Sequence, residues 1–158
     1  MKKPWNIPEY PVYSLVSSDR EAFNMNVCTY VIPVSMSPKL YVIAAYEGTK
    51  TLNNLINSNQ FVLQLMHRDD YALVRKLGKA SGNSVDKIAW LEKKSQLEKW
   101  ESFPVLRNAC FKLLLQKKKT LVNHGDHTVF LLEVIKSKSD SDAYLTTSLL
   151  REKKIIRA

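Results

Sequence analysis

Apolar residues in this chain fall mainly into short runs bounded by turn-forming residues, which is the pattern of strands; helical spacing recurs in only a few places. Val12–Ser17 reads as a first strand, followed by a turn at Ser18-Asp19-Arg20. Asn24–Ser35 reads as a second, because Val27, Tyr30, Val31, Ile32 and Val34 are β-branched or aromatic. Pro33 interrupts its ladder and Ser37-Pro38-Lys39 turns the chain. Leu40–Tyr46 is a near-continuous apolar run, which predicts a strand buried on both faces. Gln60–Met66 alternates, with Phe61, Leu63 and Leu65 on one face and Val62 and Met66 on the other. Ala109–Leu115 and Thr128–Ile135 supply further strands, the latter fed by the turn His124-Gly125-Asp126-His127.

Helices are predicted between these strands. Leu52, Leu55 and Ile56 share one side of a helix that Thr49 or Thr51 can cap. Ala72, Leu73, Val74 and Leu77 mark another, capped by Asp69 or Asp70 and ended by Gly78. Ser84–Trp90 is a short helix, and Leu91–Glu101 is charged and weakly helical. Strands and helices do not alternate strictly, which argues against a doubly wound sheet. The pattern predicts a mainly β chain with inserted helices, a small antiparallel barrel. At 158 residues it is expected to be one domain, with residues 1–11 as an extended N-terminal arm rich in proline. The arm's Trp5 and Tyr10 can pack on a partner subunit or cover the chain's own core.

Composition narrows the classes. No apolar run is long enough to span a membrane, and Lys2 and Lys3 are not followed by the apolar stretch of a signal peptide, so a cytoplasmic protein is expected. Cys28 and Cys110 have no metal-type spacing and imply no disulfide framework. The net charge of +9 admits a nucleic-acid partner, but the lysine clusters are mixed with Glu92, Glu98, Glu101 and Glu152. No recognition-helix, zinc-finger or aromatic RNA-binding signature accompanies them, so nucleic acid is not an expected partner. A phosphorylated small ligand favours a positive field with far fewer charges. His67 and His124 read as surface residues. No Ser-His-Asp order or paired catalytic carboxylate supports a hydrolase.

Two stretches carry candidate chemistry. Asn24, Asn26, Cys28, Thr29 and Ser35 place polar or soft atoms in a strand, where they need either structural hydrogen bonds or a polar ligand. Gly48-Thr49-Lys50-Thr51 combines a permissive glycine, two hydroxyls, a lysine and a helix start, which makes an anion site or a well-capped surface helix. The Gly-x-x-x-x-Gly-Lys pattern of a P-loop is absent. The loop with Lys79, Ser81 and Gly82 is a further basic, small-residue stretch, suited to a phosphate or to solvent.

Three ordered motifs resemble the flavin reductase-like family of FMN-binding split barrels. One is the polar strand ending in Pro33-Val34-Ser35 with Ser37-Pro38 after it. Another is Phe61-Val62-Leu63-Gln64-Leu65 with the loop Gly78-Lys79-Ala80-Ser81-Gly82 through Asp86-Lys87. The last is Gly125-Asp126-His127 and its strand, followed by Glu133-Val134. The resemblance implies a homodimer with FMN near the subunit interface and hydride transfer from NAD(P)H to the flavin, then to free flavin or another acceptor. It places Asn26, Cys28 and Thr29 along the isoalloxazine or ribityl chain, with Ala44 and Tyr46 flanking it. It places Thr49, Lys50 and Thr51 on the phosphate, together with Lys79 and Ser81, and His127 near the ring as the catalytic candidate. Without the resemblance, His127 reads rather as a turn residue bonded to Asp126 or to a backbone carbonyl. Cys28 stands where a smaller residue or methionine is usual, and either tunes the ring or fills space. The chain also departs from the family in Ser37-Pro38-Lys39, where a second proline is common, and in a C-terminus without an aromatic tail. A non-catalytic FMN-binding or redox-sensing dimer is the alternative.

Overall fold

The computed structural model describes residues 3–20, 22–121 and 124–157. Apolar alternation makes β1 (Tyr13–Ser18) and β2 (Phe23–Cys28) an antiparallel hairpin, whose turn is held by Asp19 Oδ1 accepting from the Ala22 N–H at 2.8 Å. After it come β3 (Val31–Met36), β4 (Lys39–Tyr46), α1 (Lys50–Asn57), β5 (Gln60–Leu65), α2 (Leu73–Lys79) and α3 (Lys87–Lys93). The small hairpin β6 (Leu97–Trp100) and β7 (Phe103–Leu106) leads to the long strands β8 (Phe111–Thr120) and β9 (His127–Ser139), and α4 (Thr147–Glu152) follows.

The stretch Asn24–Ser35, expected as one strand, is two. The seven-stranded antiparallel sheet runs in the order β2-β1-β5-β8-β9-β4-β3, so β2 and β3 lie at its opposite edges. Only Thr29 and Tyr30 separate them, and so short a link spans about 10 Å at most. The two edges must therefore come together, and the sheet rolls into a barrel. Tyr30 extends the β3–β4 ladder by one position, its carbonyl accepting from the Ala44 N–H at 3.0 Å.

Rolling gives β1 and β5 two buried faces. Leu15, Ile43, Phe61, Leu63, Phe130 and Leu132 fill the barrel. Val16, Met25 and Val62 point outward and are covered by Leu77, Leu91 and Leu150 of the three later helices. The expectation that Leu40–Tyr46 is buried on both faces fails: only Ile43 and Ala45 are buried, and both belong to the core inside the barrel. Pro33 is tolerated inside β3 because that strand is an edge, with a register shift between Pro33 and Ser35.

Other local expectations are corrected as well. Gly78 lies inside α2, which is C-capped by Ala80, so it does not end the helix. The cap that precedes α2 is neither Asp69 nor Asp70 but His67, whose Nδ1 accepts from the Asp69 N–H at 3.2 Å and starts a 3-10 turn over Arg68–Ala72. His67 is thus half-buried and structural. Leu91–Glu101 is not a continuing helix. Its charged Glu98 and Lys99 lie between Leu97 and Trp100, which pack on the outer core as half of the β6–β7 hairpin. Thr49 caps α1, as expected, accepting from the Leu52 N–H at 3.1 Å. The N-terminal arm, whose first two positions lie outside the described residues, is tied to its own chain: Tyr10 N–H donates to Thr147 Oγ1 at 3.0 Å, while Trp5 stays exposed.

A buried lysine locks the small hairpin to the barrel. Lys112 on β8 is fully buried, and its ammonium lies 3.1 Å from both Glu98 of β6 and Asp140 beyond β9. Gln64 Oε1 adds a second tether, accepting from the Leu106 N–H at 2.9 Å. The hydrogen bond from Lys112, seconded by Lys138, holds the Asp140 carboxyl below its ordinary range. The stability this lends is complete above about pH 4 and is lost as pH falls through the depressed value. Among the described residues no helix is long and apolar enough to cross a membrane.

Lys112→Met keeps the side-chain length and removes a buried charge whose two partners reach solvent. Urea unfolding at pH 7 should stay within about 1 kcal/mol of the parent, and the loss of stability in acid should shrink. Lys112→Ala, which also opens a cavity, should cost about 3 kcal/mol.

Candidate functional site

Closing the barrel through so short a link leaves the neighbouring parts of β2 and β4 apart, and a cleft of two lobes opens along that split. The first lobe, about 240 Å³, lies between Asn26–Tyr30 on one side and Ile43–Tyr46 on the other, with Leu15 at its floor and His127 at its mouth. The second, about 270 Å³, lies between Asn24, the start of α1 and the loop after α2. Asn26, Tyr46, Thr49 and Thr51 line both lobes, so the cleft is continuous.

Every residue that the resemblance places at the site reaches this cleft, whereas Ser35 of the polar stretch lies on β3 and lines neither lobe. Cys28, Thr29, Ala44 and His127 line the first lobe; Lys50, Lys79 and Ser81 line the second; Asn26, Tyr46, Thr49 and Thr51 line both. They come from β2, β4, α1, the loop after α2 and β9, which only the rolled sheet brings together.

Their side chains are not equally free. Thr49 spends its hydroxyl on structure, accepting from Leu52 N–H and donating to the Tyr46 carbonyl at 2.8 Å. A hydroxyl has one proton, so Thr49 has none left for a ligand. Thr51 differs: it is buried, and its Oγ1 accepts from Asn24 Nδ2 at 3.2 Å, which leaves the hydroxyl proton to the cleft. Lys50 is paired with Asp19 at 2.9 Å, so an anion in the second lobe shares this ammonium with a carboxylate. Ser81 Oγ accepts from the Asn83 N–H at 3.2 Å and shapes the loop. Gly82 is required by close approach: a Cβ there would collide with the Asn24 side chain and sit 3.2 Å from Lys50 Cβ. The loop thereby lies directly against β2 and α1 and walls the second lobe.

Asn24, Tyr30 and Lys87 belong to the cleft without having been assigned a role from the sequence. Asn24 was visible as a polar residue in a strand, and Lys87 as the end of the loop motif. Asp86 caps α3, accepting from the Ala89 N–H at 2.9 Å, and this turns Lys87 inward. Lys87 is only 3% exposed; its Nζ donates to the Leu77 carbonyl at 2.7 Å and lies 3.3 Å from Asn26 Oδ1. Burial pushes its ammonium down to about 8.

At the mouth, His127 Nδ1 lies 2.7 Å from Asp126 Oδ1, the turn pairing that the sequence allowed. Its ring also sits 5.0 Å from Tyr30 and 5.2 Å from Tyr46, so one imidazole and two phenol rings frame the opening. Cys28 is a different kind of group. Burial pushes its thiol up to about 12, so it is neutral at ordinary pH although it lines the open lobe. Among the described residues no cluster of His, Cys, Asp and Glu suits a metal ion.

The flavin reductase-like domain pattern matches residues 9–154, nearly the whole chain. The chain belongs to the flavin reductase-like family. No curated protein matches its sequence significantly. Solved structures with the same fold include the Thermus thermophilus FMN-binding protein with bound 1-cyclohex-2-enone, at 18% identity and TM-score 0.75 over 88% of this chain and 75% of that one. They include the Streptomyces globisporus NADH:FAD oxidoreductase, at 19% identity and TM-score 0.75 over 84% and 77%. The styrene monooxygenase flavin reductase of Pseudomonas putida S12 also shares the fold, at 15% identity and TM-score 0.76 over 92% and 90%. The arrangement of this flavin reductase-like chain is that of the FMN-binding split barrels. Its cleft offers an apolar floor and polar wall to a flat ring, and a lysine-lined end to an anion.

Cys110, wholly buried, should resist iodoacetamide at about pH 8 in the native protein, whereas Cys28, only partly buried and lining the open lobe, should react slowly because its thiol is raised. Mass spectrometry should find Cys110 alkylated only after urea is added.

Proposed function

We propose that this chain binds FMN in the split of the barrel and passes a hydride from NADH or NADPH to flavin, and on to free flavin or another acceptor. The observation that carries this reading is the continuity of the cleft: a ring-sized lobe with apolar and polar walls runs directly into a lobe lined by Lys50, Lys79 and Lys87. Flavin, when bound, supplies the hydride chemistry, and the protein supplies orientation and electrostatics.

The chain's own residues divide that work. Leu15, Ile43 and Ala45 keep water from one side of the first lobe, and Asn26 and Thr29 offer hydrogen bonds from the other. Thr51 donates its free hydroxyl proton at the junction, and the N–H groups at the start of α1 with Lys79 and the shared Lys50 favour a phosphate. Thr49 contributes the helix cap and not a hydroxyl contact. Cys28 fills space as a neutral thiol. His127 keeps Nδ1 on Asp126, which leaves Nε2 as the ring nitrogen able to hold a proton at the mouth, where a nicotinamide approaches.

A second copy of the chain is the proposed partner. Ile32, Val34 and Met36 are exposed on β3, an edge strand of the sheet. An uncovered apolar edge is an aggregation hazard, and a twofold contact removes it. A cytoplasmic homodimer with no nucleic-acid partner is the expected state. The crowding of Tyr30, Tyr46 and His127 at the mouth favours a second reading, in which FMN is bound but nicotinamide is kept out and the protein serves as a flavin carrier or redox sensor.

The protein should bind FMN, and anaerobic NADH or NADPH should bleach the bound flavin within minutes. Bleaching by dithionite but by neither nicotinamide would select the carrier or sensor, and failure to bind flavin at all would sink both readings. Light scattering should give twice the chain mass for the parent and a smaller species for Val34→Lys, in which a charge replaces an apolar contact.

A further inference from the structure

The wall of the cleft contains an ambiguity that a neighbouring lysine resolves. Asn26 sits at the seam of the two lobes, and its amide can turn either its oxygen or its NH2 toward a ligand. The two orientations select opposite ligands, since one accepts hydrogen bonds and the other donates them. Nothing in β2 itself decides between them.

Lys87 approaches Asn26 from α3. Its ammonium is anchored by the Leu77 carbonyl at 2.7 Å and reaches Asn26 Oδ1 at 3.3 Å. An ammonium carries three donors and no acceptor, so the Asn26 atom that faces it must be oxygen. The NH2 is then turned away from Lys87. We infer that Lys87 is a positioning residue: it holds the Asn26 amide in one orientation, so that the seam of the cleft presents a hydrogen-bond donor and selects a ligand with an acceptor there. This rests on the flavin reading for the ligand's identity, and a flavin's ring carbonyls and unprotonated ring nitrogens are acceptors of the required kind.

The arrangement also explains why a lysine is kept almost wholly buried with no carboxylate against its ammonium. Among the hydrogen bonds of the described residues, its partners are a backbone carbonyl and an amide oxygen. A buried ammonium held by neutral oxygens alone is a costly way to pack α3, since Met fills the same volume with no charge to desolvate. Fixing an amide that would otherwise rotate is work that Met cannot do.

A double-mutant cycle on FMN affinity tests this, using Lys87→Met, Asn26→Ala and their combination, each first checked for a cooperative thermal transition. Lys87→Met in the parent should weaken FMN about tenfold, the worth of one well-formed hydrogen bond, and should shift the absorbance bands of the bound flavin. In the Asn26→Ala background the same substitution should change affinity less than about twofold, because the group it orients is gone. Lys87→Arg, whose guanidinium likewise has donors and no acceptor, should restore most of the affinity and the parent spectrum, whereas Lys87→Gln, whose amide can also accept from the Asn26 NH2, should not. Additive losses, or weakened binding with an unshifted spectrum and no rescue by Arg, would overturn the inference and leave Lys87 a packing residue. If Lys87→Met does not fold, the Lys87→Arg and Lys87→Gln variants decide the matter: Arg, with donors only, should keep affinity and spectrum while Gln loses them, and loss in Arg or full retention in Gln overturns it. Absence of FMN binding by the parent would instead remove the flavin reading, and this inference with it.

Discussion

The fold depends on a short piece of chain. Thr29 and Tyr30 carry the backbone from one edge of a seven-stranded sheet to the other, and two residues cannot do so across a flat sheet. The sheet must roll, β1 and β5 gain two buried faces, and the interior fills with Leu15, Phe61, Leu63 and Phe130. The same constraint that closes the barrel also keeps it from closing completely. Where the link passes, β2 and β4 are not paired with each other, and the cleft is the space between them.

The cleft's chemistry follows from which elements end there. Polar residues on β2 would be a liability in a sealed barrel, but at the split they face either a lobe or a defined partner: Asn24 meets Thr51, and Asn26 meets Lys87. The start of α1 and the loop after α2 close the far end, and Gly82 allows the loop to lie against Asn24 and Lys50 without a side chain between them. Charge is distributed rather than concentrated, since Lys50 is shared with Asp19 while Lys87 is tied to uncharged oxygens. A flat ring with an anionic tail suits this gradient from apolar to basic.

Stability and site are built from separate groups of buried polar contacts. Lys112, Glu98, Asp140 and Gln64 fasten the β6–β7 hairpin on the side chains of β5 and β8. Lys87, Asn26, Asn24 and Thr51 stand around the cleft. Both groups bury a lysine, but only Lys112 has carboxylates against its ammonium. A charge meant to hold structure is best neutralised by a partner, whereas one meant to orient a neutral amide has to leave that amide as its partner.

The sequence by itself determined most of the strands, the helix cap at Thr49, the mainly β class and, through ordered motifs, the family. Those features are local or periodic, and each is written in neighbouring residues: alternation in Gln60–Met66, a hydroxyl before an apolar helix face, the loop from Lys79 to Lys87. The motifs also named side chains that prove to share one cleft. What only the tertiary structure decided is how those side chains are used. Asn24–Ser35 split into opposite edges because sheet order is set by long-range pairing, and Leu97 and Trp100 left a weakly helical stretch for a hairpin because burial outweighs local propensity. Thr49 lost its free proton to Tyr46, Lys50 gained Asp19, and Lys87 entered the cleft. A hydrogen bond is a relation between atoms distant in sequence, so residue type and spacing can nominate a group for a site but cannot say which of its donors the fold has already spent.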